Sequence, residues 1–455
     1  MPSPEHIAVE PVRGVGVALR GDQNFFAIVP EDEAKGLYEK ASILCWDVRR
    51  LHDWPLTDER EVLDVRLMLG GDGTLAREAR RRAEKQGADP RWRRLCDLED
   101  RMSGHARALQ LTGISQPASL AAPRGLVREW ALARAWAIHE LGKTTPLDPE
   151  LVDRWPFIRA LREIERNGIA VDLPRVQALL RSGATEPAHR AALRALEGLW
   201  RDGFVYSLYN PIGTKTGRLR HEGGFNALGI PHGPVRECLL SRHEGGQVVS
   251  LDFNAIDYRC IVNSVGGETA ALYQGSRDFH ARTASFIFKE VKPYLRDAVK
   301  YVSYIYIYGG SVETLQAKTG WTKEQVETVL DRLDERVGPI KEFRERLWMQ
   351  AQESGYVQVP GGHRVPVESD ASPGKVIGLY AQSYSSWVFE RAVVRAQQML
   401  RDRESKVIFM VHDELVIDVH PTDNTIIDSM RATMESYGHS VSVERGPNYG
   451  QLKPD

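Results

Sequence analysis

Apolar and polar residues follow two different periods along this chain, and the changes between them mark its organisation. Residues 15–29 (VGVALRGDQNFFAIV) read as two short strands around a Gly-Asp-Gln-Asn turn, and residues 41–46 as another. The pattern turns helical from Glu61 to about Ala83 and again over 125–141, so the first 145 residues predict a small α/β unit. Residues 142–149 (GKTTPLDP) have the composition of a linker. Beyond it, 151–167 predicts a helix, 168–172 a turn into a short strand, and 181–204 one helix or two short ones. An apolar strand at 247–253 (QVVSLDF) runs into a helix; 293–308, 323–354 and 375–401 are helical. Residues 407–419 (VIFMVHDELVIDV) have the form of a β-hairpin with His412-Asp413-Glu414 at its turn. The second half is therefore α+β, with acidic residues delivered at strand ends.

Composition changes this picture little. Hydrophobic residues at 42% and charged residues at 27% describe a soluble chain, and 455 residues predict two or three packed units. The formal net charge of −2 means that any polyanion site must come from local clustering of Arg and Lys. Cys45, Cys96, Cys238 and Cys260 lie far apart with no CxxC pair, which argues against a zinc site or a disulfide framework and for the cytoplasm. No signal pattern opens the chain, and no run is long enough to span a membrane.

Two groups of residues could carry chemistry. Asp252 ends an apolar strand and Asp413 sits inside an apolar hairpin, where an unsatisfied carboxylate is costly. They are either turn and capping aspartates or a pair of hard oxygen ligands for Mg²⁺ ions that serve phosphoryl transfer. Arg296, Lys300, Tyr304 and Tyr308 recur every four residues, so they share one slowly drifting stripe of a helix. Such a stripe either grips a triphosphate and stacks a base, or is a solvated face whose tyrosines pack on a neighbour.

The segment 296–311 (RDAVKYVSYIYIYGGS) resembles the nucleotide-binding finger helix of family A DNA polymerases, the bacterial DNA polymerase I family, which reads R-x-x-x-K-x-x-x-[FY]-G-x-x-Y-G. Residues 249–259 (VSLDFNAIDYR) look like that family's first metal motif, and 411–415 (VHDEL) match its second. Thr216-Gly217-Arg218, Asn226, Asp278-Phe279-His280, the Gly-Gly-His-Arg run ending at Arg364, and Gln382 fall in the family's order. The resemblance covers residue 150 to the end well and the first 145 weakly. It implies a right-hand palm and fingers and a template-directed polymerase that adds deoxynucleotides to a primer 3′ end. Asp252 and Asp413 would bind two Mg²⁺ ions, with Mn²⁺ as a substitute, and Glu414 would support them. Arg296, Lys300 and His280 would meet the nucleotide phosphates, and Lys300 would also protonate the leaving pyrophosphate. Tyr304 would stack on the incoming base or sugar, and Tyr308 would guard the template pocket. Arg218, Asn226, Gln382 and His412 would hold the primer end and the minor groove of primer–template DNA.

Departures from the family pattern matter as much. Asp257 stands where the family has a Glu that blocks a ribose 2′-hydroxyl; the shorter side chain either weakens exclusion of ribonucleotides or reaches an equivalent gate by different packing. Tyr304 replaces the usual Phe, which by resemblance to certain phage members implies ready acceptance of dideoxynucleotides, and Ile305 replaces the following Gly. Only about fifty residues separate Asn167 from Arg218, far fewer than in relatives, so the thumb is expected to shrink to a short helical piece around 187–204. Grip on duplex should then be weaker and more salt-sensitive, and another element or a protein partner is left to replace the clasp.

The first 145 residues have the outline of a ribonuclease H-like 3′–5′ exonuclease domain. Asp47 in ILCWDVRRL resembles one of its metal ligands, but the first-strand D-x-E pair has no match before Val15. Trp130-Ala-Leu-Ala-Arg134 places a cation where that family has an Asp. One Asp does not hold two Mg²⁺ ions, so a scaffold without proofreading is expected. The implied division is 1–145 exonuclease-like, 150–215 reduced thumb and start of palm, 216–290 palm, 291–375 fingers and 376–455 palm. Two other readings stand beside the polymerase: a specialised transferase that extends ends or tolerates ribonucleotides, and a catalytically silent DNA-binding module.

Overall fold

The computed structural model describes residues 6–12, 16–20, 26–29, 42–45, 62–64, 75–85, 88–111, 124–144 and 149–455 except 184, 185, 212 and 277. The chain divides into Met1–Trp155 and Pro156–Asp455. The sequence puts this boundary in the linker; the structure puts it inside the helix Pro149–Asn167, at Pro156. A proline inside a helix removes one backbone hydrogen bond without ending it.

In the first unit five strands form one sheet in the order Phe26–Val29, Gly16–Arg20, His6–Val12, Ser42–Cys45, Val62–Asp64. The first three are antiparallel, and the last two run parallel to His6–Val12. The strands expected within 15–29 and 41–46 are present. Of the segment expected to be helical from Glu61 to about Ala83, Val62–Asp64 is an edge strand and Leu75–Ala83 is helix. A short apolar run fits either period, and a vacant sheet edge decides it. Helices Pro90–Leu111 and Arg124–Thr144 pack through Trp92 and Trp136, whose rings lie 4.7 Å apart. Arg134 pairs with Glu99 and stacks over Trp130. Asp47 lies outside the described residues.

The second unit is built on a wholly antiparallel sheet, ordered Lys406–Val411, Glu414–Val419, Gln247–Phe253, Val441–Gly446, Lys453–Pro454. The sheet shares one core with the long helix Pro373–Leu400, which includes Val249, Leu251, Phe409 and Ile417 of the strands and Val388, Phe389 and Val393 of the helix. Asp418 of the same sheet is wholly buried; Arg242 Nε pairs with it at 2.8 Å and Ser241 Oγ donates to it at 2.6 Å. A second core gathers Val299, Val302, Tyr306 and Ile307 of helix Pro293–Tyr308 against Leu333, Ile340, Leu347 and Val376.

The segment 323–354 is two helices rather than one, Lys323–Val337 and Pro339–Ser354. Pro339 has no N–H to continue the ladder, and a Cβ on Gly338 would meet the Asp334 carbonyl oxygen at 2.7 Å. Among the described residues between Asn167 and Arg218 there are two short helices, Leu173–Ser182 and Pro187–Leu199, before the strand Phe204–Val205. Among the described residues no helix is long and apolar enough to cross a membrane.

Candidate active site

Asp252 is the penultimate residue of the strand Gln247–Phe253 and stands opposite both Glu414 and Ser442. Asp413 comes from the two-residue link between Lys406–Val411 and Glu414–Val419. His412 takes a left-handed φ of 57°, which lets so short a link close, and the Asp413 carbonyl accepts the Phe253 N–H at 3.4 Å. Strand pairing thus brings the two carboxylates to one end of the sheet. Burial, then the charges of Asp413, Glu414 and Glu444, push the Asp252 carboxyl up to about 8. Burial and Asp257 raise Asp413 to about 6.

Among the described residues no other side chain donates a hydrogen bond to either group, and three or more His, Cys, Asp or Glu never gather into a cage. Two hard oxygen donors that make no direct ion pair among the described residues fit Mg²⁺, which keeps several waters and takes one or two carboxylates. Glu414 is drawn aside: Ser250 donates to it at 2.6 Å and Tyr449 at 2.9 Å. It acts on Asp252 through its charge, from outside the cleft.

The stripe on Pro293–Tyr308 lies across that cleft. Pro293 opens the helix, Gly309 closes it in the left-handed region, and Arg344 Nη1 donates to the Tyr306 and Ile307 carbonyls at 3.1 and 3.2 Å. Its apolar face is buried, so Arg296, Lys300 and Tyr304 face outward. A cleft of about 590 Å³ is lined by these three together with Asp252, Asp413 and His280. Tyr308 stacks on Tyr304 with centroids 5.9 Å apart and planes at 21°. Burial lowers the His280 ring to about 4 although Asp278 opposes it, so at neutral pH this residue offers a neutral imidazole and not a cation. The cationic side chains of the cleft wall are Arg296, Lys300 and Arg431.

Arg218 and Asp257 are locked together. Arg218 Nη2 donates to both Asp257 oxygens at 2.7 and 2.6 Å, and Ser385 Oγ donates to the first at 2.6 Å. A small cavity of about 30 Å³ beside them is lined by Arg218, Ser385, His412 and Asp413. Asn226 and Gln382 line neither cavity. Sequence reasoning missed Arg431, Glu444 and Ser385, which the structure brings to the cleft or to Asp257. They belong to none of the short motifs; only tertiary packing reveals them. Asp278 stood in a recognised landmark without an assigned role.

Comparison with known proteins bears on the family and the fold. DNA polymerase I of Chloroflexus aurantiacus is 26% identical over 281 residues, 56% of this chain and 30% of its own length. The thermostable DNA polymerase I of Thermus aquaticus is 27% identical over 239 residues, covering 48% of this chain and 28% of itself. The chain thus spans about 30% of the length of such relatives. The fold matches the polymerase domain of Pol1 from M. smegmatis, solved with DNA primer-template and dNTP, with a TM-score of 0.72 at 18% identity, over 99% of this chain and 96% of that one. The α+β architecture is therefore that of a family A polymerase domain. The family model described as DNA polymerase family A matches residues 173–451, more than half of the chain, and the chain belongs to that family.

Proposed function

We propose that this chain is a template-directed DNA polymerase that adds deoxynucleotides to a primer 3′ end by two-metal phosphoryl transfer. The observation that carries the reading is one cleft in which Asp252 and Asp413 face Arg296, Lys300 and Tyr304. Asp252 and Asp413 would hold a pair of Mg²⁺ ions, or Mn²⁺ in their place, which would supply charge stabilisation for phosphoryl transfer. Arg296 and Lys300 orient the triphosphate, His280 donates to it as a neutral ring, and Lys300 supplies a proton to the departing pyrophosphate. Tyr304 stacks on the incoming base, with Tyr308 behind it at the template pocket. Arg218, His412, Asn226 and Gln382 hold the primer–template.

The domain roles follow the same reading. The sheet order of the first unit and the Arg134 side chain at a carboxylate position support an exonuclease-like scaffold without proofreading. Two short helices before Phe204 support a reduced thumb, with a protein partner or another element completing the clasp. Primer extension tests the central claim: templated extension supports it, untemplated extension favours an end-extending transferase, and no incorporation leaves a DNA-binding module.

Asp257 supports one finer point. Its carboxylate is taken up by Arg218 and Ser385, and it does not line the cleft, so its hold on a ribose 2′-position is weak. Ribonucleotides are expected to enter readily, and Asp257→Glu should raise discrimination against them about tenfold, the worth of one methylene in a packed site. Equal ratios of deoxy- to ribonucleotide incorporation in both enzymes would count against it. Dideoxynucleotides are expected to compete well with deoxynucleotides, and Tyr304→Phe to reduce that competition in a chain-termination assay.

A further inference from the structure

Asp278 makes two bonds of different kinds. Its Oδ1 accepts the Ala281 N–H at 2.8 Å, capping the helix Phe279–Phe288, while its Oδ2 accepts from Arg296 Nε at 2.6 Å. A cap needs only a short side-chain oxygen, which asparagine supplies as well as aspartate. The cap therefore does not account for the charge. That charge lies in the cleft itself, beside His280 and Lys300, on the wall that would receive a polyanion. Burial opposes ionisation of Asp278, but the Ala281 N–H and the Arg296 guanidinium together hold its carboxyl below the usual range, so it is an anion at working pH.

The pair is also open to exchange. Side-chain exposures of 44% and 42% leave both partners within reach of solvent and of a ligand. A guanidinium fork accepts carboxylate and phosphate oxygens in the same geometry. While Arg296 is bound to Asp278, the fraction of protein ready for phosphate is reduced, and apparent affinity falls with it.

We infer that Asp278 is a positioning residue for Arg296: it holds the guanidinium in the cleft when no nucleotide is present, yields it to a phosphate of the incoming nucleoside triphosphate, and takes it back when pyrophosphate leaves. The inference rests on the nucleotide role proposed above. It makes Asp278 a brake on nucleotide affinity and an aid to product release.

The test separates charge from cap. Asp278→Asn keeps the capping oxygen and removes the charge; Asp278→Ala removes both. Binding of a deoxynucleoside triphosphate and of inorganic pyrophosphate is titrated calorimetrically on the full chain with primer–template, beside KM and kcat. Asp278→Asn is expected to tighten both ligands and lower KM about fivefold, the worth of an exposed ion pair. In an Arg296→Gln background the same change should have no effect. An unchanged or weakened affinity in Asp278→Asn overturns the inference, and loss confined to Asp278→Ala assigns the residue to capping alone. Tight triphosphate binding without any incorporation sinks the polymerase reading while leaving this comparison intact.

Discussion

Asp413→Asn and Asp252→Asn are each expected to cut primer extension by about 10³-fold or more, because each removes one of two ligands for ions that stabilise the transition state by several kcal/mol. The same changes should stabilise the metal-free fold. Both carboxyls are buried beside like charges, which raises them from 3.8 to about 8 in Asp252 and about 6 in Asp413. An acid raised in the folded state holds more protons folded than unfolded, so its contribution is fully present below pH 4 and is lost as pH rises through the folded value. The melting temperature of metal-free protein should therefore fall between pH 4 and pH 8. Asp252→Asn should flatten that fall, since its amide never ionises. Mg²⁺ should raise the wild-type melting temperature more at pH 8 than at pH 5, because the ion competes with protons for the same oxygens. Full extension by Asp413→Asn, or a pH dependence indifferent to Asp252, would sink the assignment.

Lys300→Ala should lower kcat by about 10² to 10³-fold, the usual contribution of a positioned general acid, and raise nucleotide KM as well. The two effects can be told apart. Lys300→Arg restores a cation on the same face of helix Pro293–Tyr308, so KM should recover. Arginine does not give up its proton, so kcat should stay low. Single-turnover incorporation measures both, and recovery of kcat in Lys300→Arg would show that the lysine serves by charge alone.

The legibility of this site followed the length scale of each feature. The hairpin around Asp413 was readable because a two-residue link between apolar strands is a local pattern, and the structure pairs Val411 directly with Glu414. Helix Pro293–Tyr308 was readable to the residue because Pro at its start and Gly after its end punctuate a sustained period. The break at Gly338 was missed because the apolar period carries on across it, and the edge strand Val62–Asp64 because three residues define no period. Glu414 was adjacent in sequence to a metal aspartate, yet Ser250 and Tyr449, 164 and 35 residues away, turn it aside.

By itself the sequence determined the order and type of the central elements, the family, and which aspartates and cations deserve attention. These are encoded in short windows, where side-chain periodicity and turn chemistry act without help from the rest of the chain. The tertiary structure alone decided which groups meet. It set Arg218 on Asp257, 39 residues apart, and Ser385 on the same carboxylate from 128 residues away. It neutralised Arg296 with Asp278, placed Arg431 and Glu444 on the cleft wall, and made His280 a neutral ring by burying it. Burial and long-range pairing arise only when distant segments exclude water together, and no window of the sequence contains that information.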